Sequence, residues 1–402
     1  MDSLQKHLSI QSRLPPELRD INENYVSKNK VLFLLYYLSP MQLDLIAGTR
    51  PNFVKIAAII HAMENYSQEI TYRFIHTGQH YDDSLSGNFF KDLELPAPHF
   101  NLGVGSGSQA EQTAAIMLAY EKFLLKEKPN LCLVVGDVTS SMACAITAKK
   151  MGIKIAHVEA GLRSYDWSMP EEVNRVLIDS IADYFFTTTP QASENLIKSG
   201  KAEEQVFFVG NTMIDTLLRF KPKFRKPLVW DRLKLQEKKY LVLTLHRPAN
   251  VDETKKLEQT LKEILRHSKG IPVIFPVHPR TRKTIETLEL PGDRLYLIDA
   301  LGYLEFNYLV QHAKAVLTDS GGITEETTVL GIPCLTLRDN TERPETVSLG
   351  TNEIVGTNRQ QLRSALEKLL SGDWKRGCIP ELWDGKAGER IVDILMNKQL
   401  PL

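Results

Sequence analysis

From Met41 onward, short apolar runs recur at 42–47, 72–76, 131–135, 153–158, 184–188 and 206–209, and each reads as a strand. Between several of them the apolar residues change to helical spacing. Ile56, Ile59, Ile60 and Met63 keep an i, i+3, i+4, i+7 pattern, and Val173, Val176, Leu177 and Ile181 keep a similar one behind Pro170. Strand–helix alternation of this kind predicts a parallel sheet covered on both faces. The pattern breaks over 217–239, a basic stretch with two prolines and no clear period. It resumes with strands expected at 240–245, 272–276, 294–298, 314–317 and 333–337, and ends in a helix over 386–398 carrying Ile391, Val392, Ile394 and Leu395. The expected architecture is α/β: two Rossmann-like domains, 41–215 and 216–380, with a cleft between them, and a C-terminal helix within 381–402. Residues 1–40 read as an N-terminal extension, polar and unpatterned over 1–30.

Composition adjusts this picture little. A chain of 402 residues suits two domains of roughly 150–200 residues each. The formal net charge is zero, so no bulk field draws the protein to nucleic acid or to a membrane. The apolar stretch 31–38 is far short of the roughly 18 residues that a membrane span needs, and the polar start does not fit a signal peptide. Four cysteines, Cys132, Cys144, Cys334 and Cys378, show no metal-ligand spacing. No metal site or cofactor is expected, and reduced thiols in a cytoplasmic setting fit best.

In an open α/β sheet, ligands bind beyond the carboxyl ends of the strands. Arg50 and Lys55 follow the first expected strand, Gln79 and His80 the second, Asp137 the third, and Glu159 the fourth, with Glu171, Glu172 and Arg175 beyond. In the second domain His246 and Arg247 follow one strand and His278 another. Carboxylates crowded at one rim offer a general acid beside a general base, and neighbouring cations can stabilise a departing diphosphate. Each residue also has a plainer reading. Asp137 fits an N-cap, Glu171 to Arg175 fits an i, i+4 ion pair, His246 fits a hydrogen-bonded loop, and His157, inside a strand, fits a core histidine.

The densest stretch is Leu317 to Thr346. A buried strand leads through Thr318, Asp319 and Ser320 into Gly321 and Gly322, then into a helix with Glu325 and Glu326 that Gly331 and Pro333 terminate. Glycines at a strand-to-helix turn let backbone N–H groups approach a phosphate, and the positive helix end favours an anion. Arg338, Asp339, Glu342 and Arg343 form a charged loop after the next strand.

Taken together, GTRP (48–51), GD (136–137), HVEAGLR (157–163), PEEVNR (170–175), GNTMID (210–215), HRPANVD (246–252), PVHPRTR (276–282), TDSGGITEE (318–326) and DNTERPE (339–345) resemble the non-hydrolysing UDP-N-acetylglucosamine 2-epimerases. The resemblance runs from about Met41 to the C-terminus. It implies the GT-B arrangement of two Rossmann-like domains, a UDP-sugar substrate, a cytoplasmic homodimer serving polysaccharide biosynthesis, and no nicotinamide or metal. It also implies C2 epimerisation through UDP elimination to a 2-acetamidoglucal and re-addition with C2 inverted. By motif, Asp137, Glu159 and Glu171 are the acid/base candidates, and the catalytic His246 contacts the diphosphate or assists its departure. Arg50 and Lys55 hold substrate, Ser320, Gly321 and Gly322 cradle phosphate, Glu326 takes the ribose, Phe306 lies against uracil, and Arg343 lies near the sugar and phosphates. Asn52 stands where the family commonly has an acidic residue. An amide there and TGQHYDD (77–83) resemble the epimerases of UDP-2,3-diacetamido-glucuronic acid, whereas TERPE (341–345) favours the N-acetylglucosamine group. The competing readings are a GT-B glycosyltransferase, which the trio of carboxylates disfavours, a hydrolysing epimerase, and a catalytically inactive nucleotide-sugar sensor, against which the retained carboxylates and His246 argue.

Overall fold

The computed structural model describes residues 40–66, 68–78, 89–105, 107–277, 279–356 and 358–397. Gln79, His80, His278 and nearly all of the N-terminal extension lie outside them.

The first domain is a seven-stranded parallel sheet in the order β3-β2-β1-β4-β5-β6-β7. Its strands are β1 (Met41–Ala47), β2 (Ile70–His76), β3 (Phe100–Asn101), β4 (Leu131–Val135), β5 (Lys154–Ala160), β6 (Tyr184–Thr187) and β7 (Val206–Phe208). Side chains alternate faces along a strand, and this divides the apolar runs between two cores. Leu43 and Leu45 of β1 and Leu131, Leu133 and Val135 of β4 pack on one face with the helix Arg50–Met63. Ile46, Cys132 and Val134 pack on the other with the helix Thr139–Lys150. Because both faces are covered, the strands read as continuous apolar runs, which is why they were legible in the sequence.

The second domain is a six-stranded parallel sheet in the order β10-β9-β8-β11-β12-β13. Its strands are β8 (Leu241–Thr244), β9 (Val273–Pro276), β10 (Leu295–Ile298), β11 (Ala315–Thr318), β12 (Cys334–Thr336) and β13 (Asn352–Ile354). In both sheets the strand order reverses beside the first strand, between β1 and β4 and again between β8 and β11. These two switch points place the strand ends carrying the candidate residues at the cleft between the domains.

Three features depart from the pattern reading. The edge strands β3 and β13 were not expected, since two- and three-residue strands carry too little periodicity to register. The stretch read as patternless contains the end of a helix, Thr212–Phe220, and a short helix, Leu228–Arg232. The expected boundary at 215/216 falls inside the first of these. Asn211 caps that helix, accepting from Met213 N at 2.9 Å, and Thr216 Oγ1 donates to Val54 O at 2.7 Å. The C-terminal helix, Ala387–Asn397, crosses back to the first domain. There Gly388 N donates to Asp215 Oδ2 at 2.7 Å, and Arg390 donates to Val209 O at 2.9 Å.

Among the described residues, no helix is long and apolar enough to cross a membrane, and no group of histidine, cysteine, aspartate or glutamate residues is arranged to hold a metal ion.

Candidate active site

Glu159 is the next-to-last residue of β5, inside the strand rather than beyond it as the sequence pattern predicts, and has φ of 73° where the register between β5 and β6 shifts. A left-handed backbone is costly for a non-glycine residue and persists only where its surroundings enforce it. Asp179, buried at 2% exposure, pins the chain on either side of Glu159. It accepts from His157 Nδ1 at 2.7 Å, Gly161 N at 3.1 Å and Arg163 Nη1 at 2.6 Å. Burial alone would raise the Asp179 carboxyl, but His157 and Arg163 hold it below its ordinary value. Nε2 of His157 faces Gly136 O at 3.1 Å. His157 is therefore a core histidine, and it ties the turn carrying Asp137 to the end of β5 that carries Glu159.

The Glu159 side chain lies between two cations. Oε2 accepts from Lys55 of the helix Arg50–Met63, and Oε1 accepts from Arg343 of the second domain. Glu159, Lys55 and Arg343 are all buried. Gly136, with φ of 66°, makes room for this group: a Cβ there would stand 2.9 Å from Glu159 Oε2 and 3.0 Å from Lys55 Nζ. Asn52 fixes the same corner. Its amide nitrogen donates to Val135 O at 2.9 Å and its oxygen accepts from Thr49 Oγ1 at 3.0 Å. A carboxylate at position 52 has no hydrogen with which to make the first bond.

Asp137 is not an N-cap: the helix Thr139–Lys150 begins after Val138, without a side-chain cap. Its Oδ2 accepts from Arg175 Nη2 at 2.5 Å. Burial pushes the Asp137 carboxyl up, but Arg175 and Lys55 together hold it below its ordinary value. Glu171 does not pair with Arg175 either. Arg175 takes Glu172 at 2.6 Å, while Glu171 turns to the second domain and meets Arg247 at 3.4 Å. The helix Pro170–Ile181 therefore presents Glu171 to the cleft and uses Glu172 to brace the preceding loop through Ser164 N and Tyr165 N.

On the opposite wall, Ser320 precedes the helix Gly321–Leu330, which Gly331 closes in a left-handed conformation. The two glycines permit close approach: a Cβ on Gly321 would lie 2.6 Å from Glu342 Oε1, and one on Gly322 would lie 2.9 Å from Met213 Cε. Asp319 is fully buried. It accepts from Arg247 N at 3.0 Å and Asn250 Nδ2 at 3.0 Å, and its Oδ1 lies 2.7 Å from His246 Nδ1. This holds the partly exposed imidazole of His246 at the cleft. Burial raises the Asp319 carboxyl, but His246 and these donors bring it below its ordinary value. Glu326 accepts from Tyr303 Oη at 3.0 Å, and burial pushes it up to about 7. Phe306 is half-buried in the helix Tyr303–His312, beside the core. Arg50 opens the helix that carries Lys55.

The sequence reading gave no role to several groups that organise this site. Glu342 bridges Arg338, at 2.8 Å, and Arg175, at 3.8 Å; burial opposes its ionisation, but these cations and Arg343 hold it far below the ordinary range. Glu325 pairs with Arg343 at 2.5 Å. Glu345, buried beside them, is pushed up to about 7 by desolvation. The available signal was the spacing of charged residues in TEE and TERPE, but a charge pattern does not say which partners meet across a cleft.

The sequence profile of the UDP-N-acetylglucosamine 2-epimerase family matches residues 62–396. The chain is 43% identical over 367 residues to the UDP-N-acetylglucosamine 2-epimerase of Methanocaldococcus jannaschii, covering 88% of this chain and 99% of that one. A crystal structure of the M. jannaschii UDP-GlcNAc 2-epimerase in complex with UDP-GlcNAc and UDP superposes with a TM-score of 0.80, at 42% identity, over 89% of this chain and 100% of that one. The UDP-2,3-diacetamido-2,3-dideoxy-D-glucuronate 2-epimerase of Pseudomonas aeruginosa is 36% identical over 362 residues, 88% of this chain and 99% of that one.

Proposed function

The chain belongs to the UDP-N-acetylglucosamine 2-epimerase family, and from that premise we propose that it interconverts UDP-N-acetylglucosamine and UDP-N-acetylmannosamine by inverting C2. The observation that carries the reading is the placement of Glu159 between Lys55 and Arg343, with Asp137 and Glu171 at the same cleft. The C2 proton is weakly acidic, so its removal needs a positioned base and a stabilised leaving group. One carboxylate takes the C2 proton. The electron pair of that C–H bond becomes the C1–C2 double bond as the C1–O bond breaks, and its electrons leave on the UDP oxygen. The intermediate is a 2-acetamidoglucal. UDP then adds back to C1 while a second carboxyl group delivers a proton to the other face of C2.

In this reading Ser320, Gly321 and Gly322 receive the diphosphate at the helix start, assisted by His246 and Arg343. Glu326 takes the ribose hydroxyls, Phe306 lies against uracil, and Arg50 and Lys55 hold the sugar side. A second reading, 2-epimerisation of UDP-2,3-diacetamido-glucuronic acid, is supported by the amide of Asn52 and by the P. aeruginosa relative. The test is incubation with each UDP-sugar in deuterium oxide, without acceptor, followed by proton NMR. Equilibration of one sugar with deuterium at C2 of the product is expected. A product retaining protium at C2, or no epimer from either sugar, defeats the proposal.

A further inference from the structure

We infer that Glu325 is a positioning residue for catalysis, acting through Arg343. This rests on the epimerase reading of the same cleft.

Glu325 lies in the helix Gly321–Leu330 and is fully buried. Its Oε1 accepts from Arg343 Nε at 2.5 Å and from Asn211 Nδ2 at 2.8 Å. Its Oε2 is buried with no hydrogen-bond partner among the described residues. Desolvation raises this carboxyl and Arg343 opposes the rise.

A guanidinium is planar and rigid, so fixing two of its nitrogens fixes the direction of the third. Glu325 takes Nε of Arg343 and Glu159 takes Nη2. Nη1 is left buried without a partner among the described residues. A buried donor on a cation is costly to leave unmade, and a phosphate or sugar oxygen of a bound substrate would supply the missing acceptor. Glu325 thus aims Nη1, and it holds Arg343 in place to keep Glu159 paired. Asn211 ties the same carboxylate to the helix where the chain leaves the first sheet. One side chain therefore sets the Arg343 fork and bonds to Asn211 as well. Glu326, its neighbour in sequence, faces Tyr303 and takes no part in this chain of bonds.

The test is a double-variant cycle on kcat/KM with E325Q, R343Q and the pair combined. E325Q keeps the shape but removes the charge, and a loss of roughly 10- to 100-fold in kcat/KM is expected, with UDP affinity falling alongside it because the Arg343 fork is no longer fixed. R343Q should lose more, and the combined variant should be no worse than R343Q alone, because Glu325 has nothing left to position. A merely structural Glu325 predicts independent losses that multiply. That result, or E325Q with unchanged kcat/KM, overturns the inference. Should E325Q fail to fold, E325D keeps the charge and carries the same cycle, with coupling or independence read in the same way. Wild-type protein turned over in deuterium oxide separates the two levels. No deuterium at C2 in wild type defeats the epimerase reading. Deuterium at C2 with uncoupled variants defeats only the role of Glu325.

Discussion

The two walls of the cleft are built on the same plan and carry opposite chemistry. Each is the carboxyl edge of a parallel sheet at its switch point. The first-domain wall presents the carboxylates Asp137, Glu159 and Glu171, held by backbone turns that a buried His157–Asp179 pair ties together. The second-domain wall presents Arg247, Arg338 and Arg343 around the start of a helix. Neither wall is satisfied alone. Arg343 reaches Glu159, Arg247 reaches Glu171, and Arg175 faces Glu342 across the gap. Proton transfer belongs to one wall and the departing diphosphate to the other, and the division can be tested by damaging them separately.

The largest effect is expected on the first wall. Replacing Asp137, Glu159 or Glu171 by its amide should lower kcat by roughly 10²–10⁴, the range for loss of a general acid or base, while UDP affinity changes little. Calorimetric titration with UDP beside steady-state rates checks this, and amide variants that lose nucleotide affinity in step with rate would erase the division. On the second wall the pattern should invert. Gly321→Ala places a Cβ 2.6 Å from Glu342 Oε1. It should weaken UDP binding by about tenfold and cost about 1–3 kcal/mol of stability, read from denaturant midpoints.

A smaller effect concerns pH. Burial raises Glu326 from 4.5 to about 7. A folded-state pKa above the unfolded value means that the protonated form is favoured by folding. That contribution is complete below about 4.5 and is lost as the pH rises through about 7. If the ionised form receives the ribose, UDP affinity should increase between about pH 6 and about pH 8, by less than tenfold per unit. Tyr303→Phe removes a donor that lowers this pKa, so the midpoint should move upward; an unmoved midpoint would detach Glu326 from the nucleotide. The smallest effect is the absence of one. A protein beginning at Met41 should keep wild-type kcat and melting temperature, because β1 starts there and both walls lie beyond it.

The sequence by itself determined the two parallel sheets, since strands buried on both faces must be written as apolar runs, and helices between them as residues at i, i+3 and i+4. It also determined which polar groups stand at or near the strand ends, because that placement is local, although Glu159 falls inside β5 rather than beyond it. Helix termination at Gly331 was legible for the same reason. Tertiary structure decided the partners. Arg175 stands four residues after Glu171, yet pairs with Asp137 and Glu172, because three- and four-residue spacings on a helix are nearly equivalent and a third carboxylate from another turn outcompetes one of them. The left-handed backbone of Glu159 sits at the register shift beside β6, with its flanking residues pinned by Asp179, twenty positions on. The Arg343–Glu159 and Asn211–Glu325 contacts join residues far apart in the chain. Only the meeting of the two domains brings them together, and no local pattern carries the orientation of one domain on the other.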